Sequence, residues 1–337
     1  MIWRVSVTTG TRKQRKLRIT SLEVLCAVLV LAIFARSRLS DALSVPALRT
    51  GATVFVAICV QALPFLVLGV LISGAIAAFV SARVLTRVLP RRPAAAVGVA
   101  GLAGVALPGC ECASVPVARR LMVQGVAPAA ALTFLLAAPA VNPVVLVATA
   151  VAFPGNPEMV LARFLGSFAT AVVMGLLWAR WGKLDWIVER ALARLPEPGG
   201  DAFRGRWRVF AETARTDLVS SGGFLVLGAL ISAALNVLVP GEWFQALAGH
   251  LVLAVLVMAV LAVVLALCSE ADAFVAASLT ALPLLPKLVF LVVGPAIDVK
   301  LFALHAGTFG RSFAIRFAPV TFVVALVCAL LAGVVIG

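Results

Sequence analysis

L-P-G-C-E-C-A-S-V-P-V-A-R-R (Leu107–Arg120) and the later P-A-V-N-P (Pro139–Pro143) decide how the chain is read. Two cysteines, a carboxylate, a serine, an asparagine and several prolines interrupt a sequence otherwise made of Ala, Val and Leu. A second, degenerate copy lies between Leu265 and Lys300, as C-S-E-A-D-A-F (Cys268–Phe274) and P-A-I-D-V-K (Pro295–Lys300). Polar groups are expensive in hydrocarbon, and where they cluster inside apolar sequence they mark function. The two stretches are read as the two halves of one site.

The rest of the chain supplies the hydrocarbon context. Of its 337 residues, 63% are hydrophobic and 12% charged. Soluble domains average roughly 45–50% and about 25%. Several apolar runs reach the roughly 20 residues that cross a bilayer. They are continuous rather than alternating, which excludes a transmembrane barrel. The expected fold is an all-α, polytopic membrane protein. The net charge of +14 sits in loops between spans. Membrane topology therefore accounts for it, and no nucleic-acid partner is expected. No small-residue cleavage site follows the polar start, so a cleaved leader is not expected.

Residues 1–20 read as a basic cytoplasmic tail, and 21–49 as a first transmembrane helix and loop. Residues 50–182 form a first repeat, 183–215 a basic cytoplasmic linker, and 216–337 a second repeat. Phe65–Val80 and Phe224–Val239 share ten of sixteen residues, with Gly69 opposite Gly228 and Ser73 opposite Ser232. Further along, Cys110 falls opposite Cys268, Ser114 opposite Asp272, and Asn142 opposite Asp298. The segments around Pro108-Gly109 and after Cys268 are too short for comfortable crossings. Each is expected to form a broken or re-entrant hairpin near mid-membrane. With residues 1–20 inside, the stretches 81–93, 119–120, 180–215 and 311–316 also fall inside, and these five regions hold 22 of the 28 Lys and Arg. The positive-inside rule then gives each repeat an odd number of crossings, so the second copy is inverted. Inverted repeats with broken helices are a recurring plan of secondary transporters.

Cys110-Glu111-Cys112 is the sharpest chemical signal. At a helix start both sulfurs can converge on one ligand, and thiolates favour soft, thiophilic species. Cys268 supplies a matching sulfur, which makes Cys110, Cys112 and Cys268 the candidate metal ligands. Small buried packing residues are the plainer reading of the same cysteines. Glu111, Glu270 and Asp272 flank the breaks and can bind a cation or proton, or pair with Lys300. A solvated place at headgroup level is the plainer reading of Glu111. Asn142 and Asp298 serve either to satisfy freed backbone groups or to contact substrate. Lys300 is expected to neutralise Asp298 or Asp272. Ser114 and Ser269 are hydroxyl ligands or helix caps. His305 is a proton relay or a structural residue, and Arg163 is read as snorkelling to the interface. No nucleotide-binding loop and no hydrolase motif occurs, so no catalytic residue and no cofactor is assigned.

P-G-C-E-C-A-S-V-P, A-P-A-V-N-P, C-S-E-A-D-A-F and G-P-A-I-D-V-K together resemble the YraQ-type predicted permeases, a family that includes the ArsP organoarsenical efflux permeases. The resemblance covers roughly residues 50–337. It implies a permease, with Cys110 and Cys112 as the thiol contacts of a trivalent organoarsenical. Glu111 stands where a small residue such as serine is expected.

The expected function is that of a secondary permease of the inner membrane, multi-pass with a cytoplasmic N-terminus. Its cargo is a thiophilic metal, metalloid or organometalloid species, moved outward between the two hairpins. A homo-oligomer or an accessory protein docking on residues 182–215 is compatible with this. The rival reading is a transmembrane thiol–disulfide electron carrier, with cysteines paired between the repeats.

Overall fold

A computed structural model describes residues 46–79, 90, 92–106, 111–187, 202–238, 250–280 and 282–335. Two units are distinguished, Met1–Pro46 and Ala47–Gly337. The expected first span (residues 21–35), Cys110 and residues 188–201 of the expected linker lie outside the described residues.

All regular structure among the described residues is helical. The first half contains α1 (Pro46–Phe79), α2 (Pro93–Ala103), α3 (Glu111–Val123), α4 (Pro128–Val141), α5 (Pro143–Ala152) and α6 (Pro157–Trp181). The second contains α7 (Ala202–Leu238), α8 (Leu251–Leu265), α9 (Asp272–Ser278), α10 (Leu284–Ala296), α11 (Val299–Thr308) and α12 (Arg311–Ala332). Both halves follow one order: a long span, a short apolar helix, a short helix beginning at the polar motif, a span broken in two, and a final span. Among the described residues, six segments are long and apolar enough to cross a membrane: 48–79, 128–152, 157–181, 205–234, 284–308 and 311–332.

Burial decides which of these form the centre. The broken spans α4–α5 and α10–α11 are 61% and 83% buried inside the protein, against 29–44% for the other four. Every residue of α4 from Ala129 to Val141 is buried. The outer helices leave Leu161, Leu176, Val226, Val323 and similar side chains exposed, as lipid-facing surfaces require. The central helices can be broken because protein, not lipid, surrounds their freed backbone groups.

The breaks follow from local chemistry. Pro143 cannot donate to the helical ladder, so α4 ends before it and Asn142 adopts an extended backbone. Asn142 then accepts a hydrogen bond from the Val145 amide at 3.0 Å and donates Nδ2 to the Ala138 carbonyl at 2.9 Å. Asp298 repeats the device after Pro295-Ala296, accepting from the Leu301 amide at the start of α11. A third break ends α8, where Ala266 takes the left-handed conformation (φ 48°, ψ 45°). That conformation costs an alanine about 1–2 kcal/mol. Ser232, on α7, donates to the carbonyls of Val264 and Leu265, both at 3.1 Å. These are the orphaned acceptors at the broken end of α8.

One feature departs from the sequence reading: residues 202–215, read as the end of the linker, are helical, and α7 begins at Ala202. At this level Asp217 is buried and accepts from Ser73 Oγ at 2.6 Å and Arg119 Nη1 at 2.9 Å. That group ties α1, α3 and α7 together.

Candidate functional site

The polar motifs of the two halves meet inside the protein. α3 starts at Glu111, which is fully buried, with Cys112 beside it equally so. This excludes the solvated, headgroup-level reading of Glu111. From the second half come the unwound Ala266–Ala271 segment, carrying Cys268, Ser269 and Glu270, and the start of α11, carrying Asp298 and Lys300. Lys300 Nζ lies 3.5 Å from Glu111 Oε2 and 3.7 Å from Asp298 Oδ2. It also donates to the Ala266 carbonyl at 3.5 Å. Cys112 and Cys268 stand within electrostatic reach of the same ammonium. Lys300 thus pairs with Asp298, as expected, and with Glu111, but not with Asp272.

Asp272 has a different partner. Arg163, from the second turn of α6, is fully buried. Its Nη2 donates to Asp272 Oδ1 and Oδ2 at 2.9 and 3.0 Å and to the Ser269 carbonyl at 2.9 Å. Its Nη1 donates to Thr149 Oγ1 at 2.7 Å. The snorkelling reading is therefore wrong, because this guanidinium points into the protein and pins the unwound segment to α5 and α6. An Arg inside the apolar span, with Thr149 near the end of the preceding helix, was the available signal, since an unpaired Arg there is too costly to bury.

The other candidates divide. Glu270 is half-buried, within electrostatic reach of Glu111, Arg163 and Lys300. Neither of its oxygens, nor either of Glu111's, nor the Ser269 hydroxyl, has a hydrogen-bond donor or acceptor among the described residues. Ser114 donates to the Glu111 carbonyl at 3.0 Å, within its own helix. Asn142 caps α5. His305 is fully buried against Phe309, Phe313 and Phe317. Among the described residues, no three His, Cys, Asp or Glu side chains converge closely enough to hold a metal ion.

The cap at Asn142 gives a direct expectation. Asn142→Ala should lower stability by about 1 kcal/mol, the usual worth of an N-cap, measured as thermal unfolding in detergent. Asn142→Ser keeps an acceptor and should recover most of the loss. An Ala variant that melts with the native protein would show that the break needs no cap.

The family description ArsP_1, "Predicted permease", matches residues 48–334. The chain belongs to this permease family. The UPF0718 protein YcgR of Bacillus subtilis (strain 168) is 33% identical over 284 residues, covering 82% of this chain and 94% of that protein. A "Putative two-component membrane permease complex subunit" of Streptococcus mutans serotype c (strain ATCC 700610 / UA159) is 29% identical over 289 residues, 83% of this chain and 94% of its own. No solved structure matches the chain. The permease is thus a multi-pass membrane protein of the predicted permease family, and the polar cluster lies at the buried meeting point of its two halves.

Proposed function

We propose that this permease carries a small thiophilic species, a metal, metalloid or organometalloid, outward across the inner membrane. The single observation that supports the reading is the convergence of Cys112, Cys268, Glu111, Asp298 and the Lys300 ammonium, all buried and drawn from both halves. Soft sulfur donors next to carboxylates suit such a cargo, and Cys110 adds a third sulfur by its place in the motif. Glu270, Ser269 and the Arg163–Asp272 pair form the wall beside them. Ser114 and Asn142 hold the backbone of the first-half motif. The two halves act as inverted repeats that expose the cluster to each side in turn.

Everted membrane vesicles test the reading with arsenite, phenylarsine oxide, Ag⁺ and Cd²⁺ as candidate cargoes. Cys112→Ser and Cys268→Ser are each expected to abolish most of the transport of whichever cargo the native protein moves. Undiminished transport of every candidate in both variants would remove the soft-ligand role. The streptococcal relative is described as one subunit of a complex, so the chain should be assayed alone and with proteins that copurify with it.

A further inference from the structure

The two buried cations of the site are held very differently. Arg163 makes two close bonds to Asp272, at 2.9 and 3.0 Å, and two more to oxygen neighbours. Lys300 sits 3.5–3.7 Å from each of its three oxygen neighbours. Charge-assisted N–H···O bonds in proteins are nearer 2.7–2.9 Å. One cation is locked in place and the other is loosely cradled. Its cradle is made of two carboxylates and a main-chain carbonyl, with two thiols in electrostatic reach. Those are the donors that a soft cation would use.

The charges do not balance. Arg163 answers Asp272, Lys300 alone faces both Glu111 and Asp298, and Glu270 makes no ion pair among the described residues. With these groups ionised, four carboxylates face two cations. An uncompensated carboxylate is costly to bury, so exchanging Lys300 for a dication takes the cluster from two uncompensated negative charges to one, a gain that a neutral or anionic cargo cannot bring. The oxygens of Glu111 and Glu270 and Asp298 Oδ2, which lack hydrogen-bond donors among the described residues, are the acceptors such a cation would engage.

From this, and resting on the thiophilic-cargo reading above, we infer that Lys300 is a built-in, displaceable counter-cation and that the cargo is a soft divalent cation. In the structure, the ammonium stands in the cargo's place among these donors. Cargo binding moves Nζ aside and engages Glu111, Asp298 and the sulfurs. On release the lysine returns, so that Glu111 and Asp298 keep a facing cation while the halves rearrange.

Calorimetry on the purified full chain in nanodiscs tests this, with Cd²⁺ as the cationic probe and phenylarsine oxide as a neutral thiol-binding one. Lys300→Gln removes the competitor and should tighten Cd²⁺ binding by roughly tenfold or more, the scale on which a close charge pair acts. Lys300→Arg, which grips carboxylates bidentately, should weaken Cd²⁺ binding by about the same factor and keeps the charge that folding needs. Glu111→Gln should weaken Cd²⁺ binding by roughly tenfold or more and phenylarsine oxide binding far less, because a neutral arsenical makes no charge pair with the carboxylate. If Lys300→Gln does not fold, the Lys300→Arg and Glu111→Gln results decide. Cd²⁺ affinity that is unchanged by Lys300→Arg overturns the inference. So does binding of phenylarsine oxide but not Cd²⁺ by the native protein, while leaving the thiophilic reading intact. Binding of neither probe overturns both.

Discussion

Replacing Arg163 with methionine should produce the largest loss of stability of any single substitution in the described fold. The side chain is fully buried and reaches Thr149 on α5, the Ser269 carbonyl in the unwound segment, and Asp272 at the start of α9. Methionine fills much of the volume but leaves Asp272 as a buried carboxylate without its cation. Removing one partner of a buried ion pair costs about 3–5 kcal/mol. The apparent melting temperature in detergent should therefore fall by roughly 10 °C, at about 2–4 °C per kcal/mol. The second substitution separates charge from packing. Arg163→Met with Asp272→Asn removes the stranded charge and should regain a large part of the loss. Arg163→Lys should not, because an ammonium cannot span Thr149, Ser269 and Asp272 with one planar fork. A methionine variant as stable as the native protein would mean that Asp272 is neutral or solvated in the membrane, and would undo the role given to Arg163 here.

The same residue marks where sequence reasoning stops. The helix breaks were legible because their causes are local. Proline removes a donor, and Asn142 or Asp298 next to it supplies a cap. That the apolar runs cross the membrane as helices was legible because bilayer thickness sets the minimum run, but where the long helices begin was not. The interruption after Cys268 was legible because polar residues break an apolar run there. Pairings between distant helices were not. Lys300 had four plausible carboxylate partners in the sequence, and only the packing of α3 on α11 selects Glu111 in addition to its neighbour Asp298. Arg163 and Asp272 are separated by 109 positions, and nothing in either neighbourhood names the other. The tie between Ser73, Arg119 and Asp217 was missed for a further reason. Asp217 lies where the polar sequence was read as the edge of a linker, and the charges of residues 202–215 hid the helix that carries it.

Gly228→Val is the second substitution with a large expected effect, and it acts on transport as well as stability. A Cβ at Gly228 would lie 2.7 Å from the Lys300 Cα and 3.2 Å from its carbonyl oxygen. These are main-chain atoms that cannot rotate away, so either α7 or α11 has to shift. Overpacking of this kind costs about 1–3 kcal/mol. The shift falls on the residue that carries the site's loosely held cation, and displacements near 1 Å can cost on the order of a hundredfold in rate where geometry sets the reaction. Transport should therefore drop by roughly tenfold or more, even under conditions where the variant stays folded. Gly69, its partner in the repeat, touches the Ala113 backbone beside Cys112 in the same way, and Gly69→Val should perturb the first-half motif. Gly223 is the control on α7. Nothing lies within 4 Å of a Cβ there, so Gly223→Ala should stabilise the helix by about 0.5–1 kcal/mol and leave transport alone. If Gly228→Val and Gly223→Ala melt and transport alike, the close seat of α7 on Lys300 is absent in the membrane. The repeated glycine would then serve only to thin the span, not to bring a long helix onto the polar centre. The two outcomes differ in a rate measurement as well as in a melting curve, so loss of folding alone cannot imitate the effect on the site.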